Sequence, residues 1–340
     1  MIIKPTRSTD LRAPRSDTLP GNGLQLAALA ARLTDRDRWL LRMLHEHRVL
    51  TTDQITNLGF DSVPVARRRM LKLHRYGVVD KFRPQRALGS YPSHYVLGPA
   101  GAAVLAAEVG RDVRELGYRR DRAIGIAHRL HLAHTLGVNE WFTSLTAAPL
   151  RHRCDGSRLL AWWSERRCAD LWGDLVRPDG YGRWTRAGAR IDFFLEFDLA
   201  TMALGEVAKK LAGYAELARS TQIVTPVLLW VPTARRETNA RRAIVEVAAA
   251  LDDPGSVPVA TAAADLLDPT STHPSPADRV WLPLHNPDGT GRLELHHLSS
   301  TWPRVTRSSA ITSDDPTPPT SKQTVLPAPS PTPPTRAGDR

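Results

Sequence analysis

Three acids lie at spacings that suit a divalent metal ion, with a lysine not far downstream. In "IDFFLEFDLAT" (191–201) Glu196 and Asp198 are two residues apart. On a strand they point to one face together with Asp192, while Phe193, Leu195 and Phe197 point to the other. Another acid, Asp179 in "LVRPDG", precedes Glu196 by 17 residues, a separation that a hairpin closes. Carboxylates converging at a sheet end suit Mg²⁺, which takes one or two of them and keeps several waters. Downstream, "LGEVAKKLAGYAELARS" supplies Lys209 and Lys210. Leu204, Val207, Ala208, Leu211, Ala215 and Ala218 define its buried stripe. At about 100° per residue Lys209 falls roughly opposite that stripe and Lys210 on its flank, from where its amine can reach the strand end. Asp179, Glu196 and Asp198 are therefore the candidate metal ligands, and Lys210 is the lysine able to reach them. The alternative is that these acids form only structural pairs with Arg177, Arg190 or Lys210.

A second chemistry is visible nearer the start. From Ser62 to Tyr91 there are eight basic residues, Arg67, Arg68, Arg69, Lys72, Arg75, Lys81, Arg83 and Arg86, against the single acid Asp80. They account for +7 of the chain's net +11, so the expected partner is double-stranded DNA. The elements that must carry them read as helices. "LTDRDRWLLRMLHEH" starts at Thr34 as N-cap, with Asp37 three residues on, near a capping box. "TTDQITNLGF" follows with Thr52 as cap and Gly59 as stop. "SVPVARRRMLKLHRYGVV" has Ser62 as cap, Pro64 in its first turn and an apolar stripe of Val65, Met70, Leu71, Leu73 and Val78. Two short strands and a helix from Gly98–Gly101 complete a unit over 34–110. Three helices and a hairpin form the winged helix-turn-helix plan, with the charge on the third helix and the wing. A solvated basic face is the alternative.

The region 120–300 runs helix ("RAIGIAHRLHLAHTLGVNEWFTSLTAAP"), strand ("RLLAWWSERRC"), strand ("LVRPDGYGRW"), strand ("ARIDFFLEFDLAT"), helix and strand ("TPVLLWVPT"), then a basic helix ("ARRETNARRAIVEVAAAL") and late strands ("VPVAT", "DRVWLPL", "GRLELHHL"). This order indicates an α/β domain with a mixed sheet. With "PD" on the second strand and an acidic pair on the third, it resembles the PD-(D/E)XK, restriction-endonuclease-like αβββαβ fold. In that resemblance Asp179 matches the first acid and Glu196 the second. Asp198 stands where the motif has lysine, which marks either a variant catalyst or a retired one; Lys210 is the substitute, and the resemblance implies that it would polarise water or the scissile phosphate. More specifically, "WWSE", "RPDG", Glu196-x-Asp198-x-x-Thr201, Lys210-Leu211 and Tyr214, in this order behind a winged helix, are similar to the replication-relaxation family of actinobacterial and plasmid or mobile-element proteins. That similarity covers roughly 34–235 and implies a role in DNA replication or plasmid maintenance.

Other patterns carry less. Glu165 reads as the end of the first strand, either a further ligand or a partner of Arg166 or Arg167. His128, His131 and His134 on the long helix, and His296-His297, lack partners at zinc spacing. Cys154 and Cys168 make neither a metal pair nor a disulfide framework. "GPAGAA" and "GNGLQL" lack the lysine or the preceding strand of nucleotide-binding loops, so no ATPase is expected. Residues 1–33 and the Pro-, Ser- and Thr-rich 305–340 read as disordered. No apolar stretch suits a secretory signal or a membrane span, so a cytoplasmic protein is expected. Homodimerisation, and contacts with replication or plasmid-transfer proteins, fit this reading. A transcriptional regulator whose second domain only dimerises or binds partners is the contrasting one.

Overall fold

A computed structural model describes residues 23–84, 91–125, 131–151, 156–200, 204–268, 270, 274–285, 291–305 and 326–334. The chain divides into two compact units, Met1–Thr143 with Val325–Arg340, and Ser144–Thr324. No helix among the described residues is long and apolar enough to cross a membrane.

The first unit opens with α1 (Gly23–Ala30), inside the stretch expected to lack structure, and continues with α2 (Asp35–His47). The capping box at α2 closes with an aspartate: Thr34 N donates to Asp37 at 2.7 Å and Asp37 N to the Thr34 hydroxyl at 3.3 Å. β1 (Leu50–Thr51) leads into α3 (Thr52–Gly59). Its cap is Thr51 rather than Thr52, because Gln54 sits three residues after Thr51 and completes a second reciprocal box. α4 (Val63–Arg75) follows, then β2 (Val79–Phe82), β3 (His94–Leu97) and α5 (Pro99–Glu108). The strands form an antiparallel sheet in the order β1-β3-β2. Leu40, Leu41, Met43, Leu44, Ile55, Met70, Leu73 and Val78 fill the core. Leu71, assigned to the buried stripe from its spacing, is instead 41% exposed. The expected single helix over 122–149 is described as α6 (Arg120–Gly125) and α7 (Leu132–Arg151), and the division between the units falls within α7.

The second unit is built on a mixed six-stranded sheet in the order β4-β5-β6-β7-β8-β9. β4 (Arg158–Ser164) ends earlier than expected. Ser164 caps α8 (Glu165–Trp172) by accepting from Arg167 N, so Glu165 begins a helix instead of ending a strand. β5 (Gly180–Arg186) and β6 (Ala189–Phe197) form a hairpin around Ala187 and Gly188, whose φ values of 50° and 81° are the positive pair a tight two-residue turn requires. α9 (Leu204–Thr221) then crosses to β7 (Val227–Val231), and α10 (Ala234–Ala249) to β8 (Val259–Ala263). Both crossovers join parallel neighbours, and β9 (Leu282–Pro283) closes the sheet antiparallel. "GRLELHHL" forms no strand. It contributes one bridge, Leu293 to Trp281, then a 3-10 turn at Leu295–His297 and α11 (Leu298–Thr301).

The Pro-rich tail also departs from its expected disorder. Leu326–Pro334 belongs to the first unit, with Leu326, Pro329 and Pro331 buried. Composition alone undervalued proline as an apolar, pre-ordered surface.

Candidate functional site

The hairpin register decides the geometry of the acids. Gly180 pairs with Leu195 and Asp179 N donates to Leu195 O at 3.1 Å, so Asp179 continues the ladder opposite Glu196. Residues directly opposite in an antiparallel pair share a face, and like charges there repel. Lys210 answers that repulsion. Its Nζ lies 2.6 Å from Glu196 Oε2 and 4.0 Å from Asp179 Oδ1, and donates to Arg177 O at 3.2 Å. Tyr214, one helical turn further along α9, donates to Glu196 Oε1 at 2.5 Å. Asp179 Oδ2 accepts from Phe197 N at 2.8 Å.

Gly213 lets α9 come this close: a Cβ there would sit 2.4 Å from Leu175 O. Around Tyr214 the same sheet face carries a wall of rings, with Phe194 against Tyr214 (centroids 5.2 Å) and Trp172 (5.0 Å), and Trp163 against Tyr181 (4.5 Å). This apolar wall removes water from one side of the carboxylates. Burial, with the charge of Asp179 added, lifts the Glu196 carboxyl to about 7 in spite of Lys210 and Tyr214. Lys210 shifts the other way in charge terms: burial works against its ammonium, yet Glu196, Asp179 and then Glu165 outweigh it and raise the pKa. The two shifts are compatible because Glu196 is enclosed while the lysine side chain is 29% exposed.

Asp198 does not join this group. Its Oδ2 accepts from Arg236 Nε of α10 at 2.6 Å and its Oδ1 from Ala200 N at 2.7 Å. Of the three acids, the structure brings Asp179 and Glu196 together, and the first turn of α10 supplies a guanidinium that closes Asp198. Of Arg177, Arg190 and Lys210, the cations expected to pair with these acids if they are only structural, Lys210 pairs with Glu196 and Asp179. Arg236 could have been suspected from the basic run at 234–244, but nothing in its spacing singles it out. Lys209 is exposed. Asp192 is held separately by Arg183 (2.8 and 2.7 Å) and the Tyr181 hydroxyl (2.9 Å), with Arg190 at 3.6 Å.

Two other clusters can be placed, the His296-His297 pair, expected from spacing to have no zinc partner, and the basic residues of the first unit. Among the described residues one trio brings metal-binding atoms together, Glu294, His296 and His297, within 4.8 Å; Arg186 already binds Glu294 at 2.8 Å. His128 and Cys154 lie outside the described residues, and Cys168 is buried as a thiol. In the first unit Arg67, Arg68, Lys72, Arg75, Lys81 and Arg83 are exposed. Arg83 donates to Ser93 Oγ at 2.9 Å, and Lys72 lies over the Tyr76 ring. Arg69 faces inward instead, its Nε 2.7 Å from Asp37 Oδ1, which anchors α4 to the start of α2. Burial opposes charge on Asp37, but Arg69 and Thr34 overcome it and lower the pKa. Arg86 lies outside the described residues.

The architecture is that of a mixed α/β protein with a helical unit bearing a three-stranded sheet and a second unit centred on a paired-acid, lysine-bridged hairpin. Residues 41–228, more than half of the chain, match the replication-relaxation family model, and the chain belongs to that family. No curated protein and no solved structure matches it.

Proposed function

We propose that this chain is a DNA-binding protein of plasmid or mobile-element replication and maintenance. Its first unit is a winged helix-turn-helix and its second a nuclease-like, restriction-endonuclease-type domain. The family supports the replication role, and the one-sidedness of α4 carries the DNA reading. Arg67, Leu71, Arg75, Arg68 and Lys72 span an arc of roughly 140° at 100° per residue, all of them exposed. Among the described residues no acid pairs with Arg67, Arg68, Arg75 or Lys81. A helix presenting unneutralised guanidinium groups along one face suits phosphates on either side of a major groove. The test is Arg67→Ala/Arg68→Ala/Arg75→Ala, measured by fluorescence anisotropy on duplex DNA across a salt series. Loss of three phosphate contacts lowers affinity by at least about tenfold and reduces the salt slope by roughly 2–3. Unchanged affinity and slope remove α4 from the interface. Arg69→Ala is excluded from this set because it would also unfasten Asp37.

The convergence of Asp179, Glu196 and Lys210 favours a second reading, metal-dependent cleavage of the bound DNA. Asp179 and Glu196 fit Mg²⁺, which needs only one or two carboxylates with waters; Asp198, closed by Arg236, does not. Bound there, the ion would supply a Lewis acid for a phosphoryl oxygen and an acidified water. Lys210 would orient toward the phosphate and Tyr214 would hold Glu196 in place. Nicking of supercoiled plasmid with Mg²⁺ or Mn²⁺ that vanishes in Asp179→Ala and Glu196→Ala, with DNA affinity retained, is the expected result. Tight binding with no nicking in any divalent metal leaves a DNA-binding accessory or regulator.

A further inference from the structure

We propose that the first unit carries a recognition site for proline-rich segments, formed where Trp39 of α2 lies against Gly59 of α3. Its ligand is the chain's own Leu326–Pro334, which it binds as a separable peptide. The proposal is independent of the DNA and nuclease readings.

Three observations carry it. First, "LPAPSPTPP" has prolines at 327, 329, 331, 333 and 334. Proline fixes its own φ and pushes the preceding residue into the extended region, so almost every residue of the segment is preset to a polyproline conformation. Such a chain loses little entropy on docking, and because proline lacks an N–H it offers mainly carbonyls as polar handles. Second, the groove supplies the matching donor. Trp39 Nε1 donates to the Ser330 carbonyl at 2.7 Å, and the ring itself is only 5% exposed. Tryptophan is suited to this role, giving an apolar face for proline rings and one N–H for a carbonyl. Third, the floor is cut to fit. A Cβ on Gly59 would lie 3.2 Å from Trp39 Cζ3 and 3.5 Å from Pro333 Cγ, so glycine lets the indole lie against α3 with Pro333 beside it. Pro329 and Pro331 are buried while Ser330 and Thr332 face outward. Burial thus alternates along Pro329–Thr332.

The sequence repeats part of this ligand: "PTPPT" occurs at 316–320 and again at 331–335.

The experiment follows the Trp39 indole proton by ¹H–¹⁵N spectroscopy of the full chain, its signal assigned as the one absent from Trp39→Phe. In Pro329→Ala/Pro331→Ala/Pro333→Ala that signal should move and lose its protection from solvent exchange. Peptide 326–334 added in trans at millimolar concentration should return it to the wild-type position. The unmodified chain should need about tenfold or more additional peptide, because a tethered segment competes at an effective concentration in the millimolar range. Trp39→Phe should weaken capture of labelled peptide by the triple-alanine background at least about fivefold, as loss of one hydrogen bond implies. An indole signal identical in the wild-type and triple-alanine chains overturns the proposal. So does failure of saturating peptide to restore it, which would mean a contact made only by tethering, or peptide capture that ignores Trp39→Phe.

Discussion

Asp192 and Glu196 stand four residues apart on the same face of β6, and each meets a buried tyrosine and a cation. The resemblance stops at the charge count. Asp192 faces Arg183 across the hairpin, doubly bonded, with Arg190 close by. Glu196 faces a second acid, Asp179, and both share one lysine. The first cluster sets one acid against two arginines, and the second sets two acids about one lysine beside a wall of aromatic rings. Closed clusters of the first kind hold a hairpin together. In a cluster of the second kind, burial and the neighbouring acid favour a proton on Glu196, at a position for which a metal ion could compete.

The largest effect that would break this contrast is the loss of Arg183. Arg183→Met should destabilise the chain by about 3 kcal/mol in urea unfolding, the low end for stranding one member of a buried pair, since Arg190 remains near Asp192. Lys210→Met should cost less at pH 5 than at pH 8, because Glu196 can take a proton in place of the lost ammonium. Equal losses in the two variants at both pH values would mean that the clusters are alike.

Next in size is the pH dependence carried by Glu196. Its folded carboxyl titrates near 7 against an ordinary 4.5, so the folded state holds the proton more tightly than the unfolded one. The stability from this group is therefore fully present below about pH 4.5 and is lost as pH rises through about 7. Lys210 stays charged throughout that window. The stability difference between wild type and Glu196→Gln, measured in chelator, should change by roughly 2–3 kcal/mol against the wild type between pH 4.5 and 7.5. A flat difference would mean that Lys210 neutralises Glu196 completely.

Much of this arrangement is legible in the residues themselves, for identifiable reasons. Alternation along "IDFFLEFDLAT" puts the acids on one face, and the helical phase of Lys209 against Lys210 selects the lysine that reaches them; both are local periodicities. Glu165 reads as strand because the apolar Trp162-Trp163 pair runs up to Ser164, and a serine cap is visible only once the helix is known to start there. Arg236 closes Asp198 from a helix 38 residues away, a contact set by the parallel crossover β6-α9-β7 and invisible to spacing. Arg69 lies in a run of three arginines whose members differ only in helical phase, and Asp37 selects the inward one. The seated tail escaped notice because composition weighs proline as a breaker, whereas Trp39 meets it as a surface.

The smallest predicted effect is also the most discriminating. Tyr214→Phe removes one hydroxyl from a buried ring and leaves the volume filled, so no cavity contributes. What changes is the donor to Glu196 Oε1. That hydrogen bond favours the ionised carboxylate, so its loss should move the Glu196 midpoint further above 7 and cost about 1 kcal/mol at pH 8. At pH 5.5 the carboxyl carries its own proton and the same substitution should cost markedly less. Tyr181→Phe is the matched control, removing an equivalent hydroxyl from Asp192, whose two bonds from Arg183 persist whichever pH is chosen. Its cost should be the same at pH 5.5 and pH 8. A pH-dependent loss in Tyr214→Phe beside a constant one in Tyr181→Phe would locate the exchangeable proton at Glu196, the position a divalent cation would compete for.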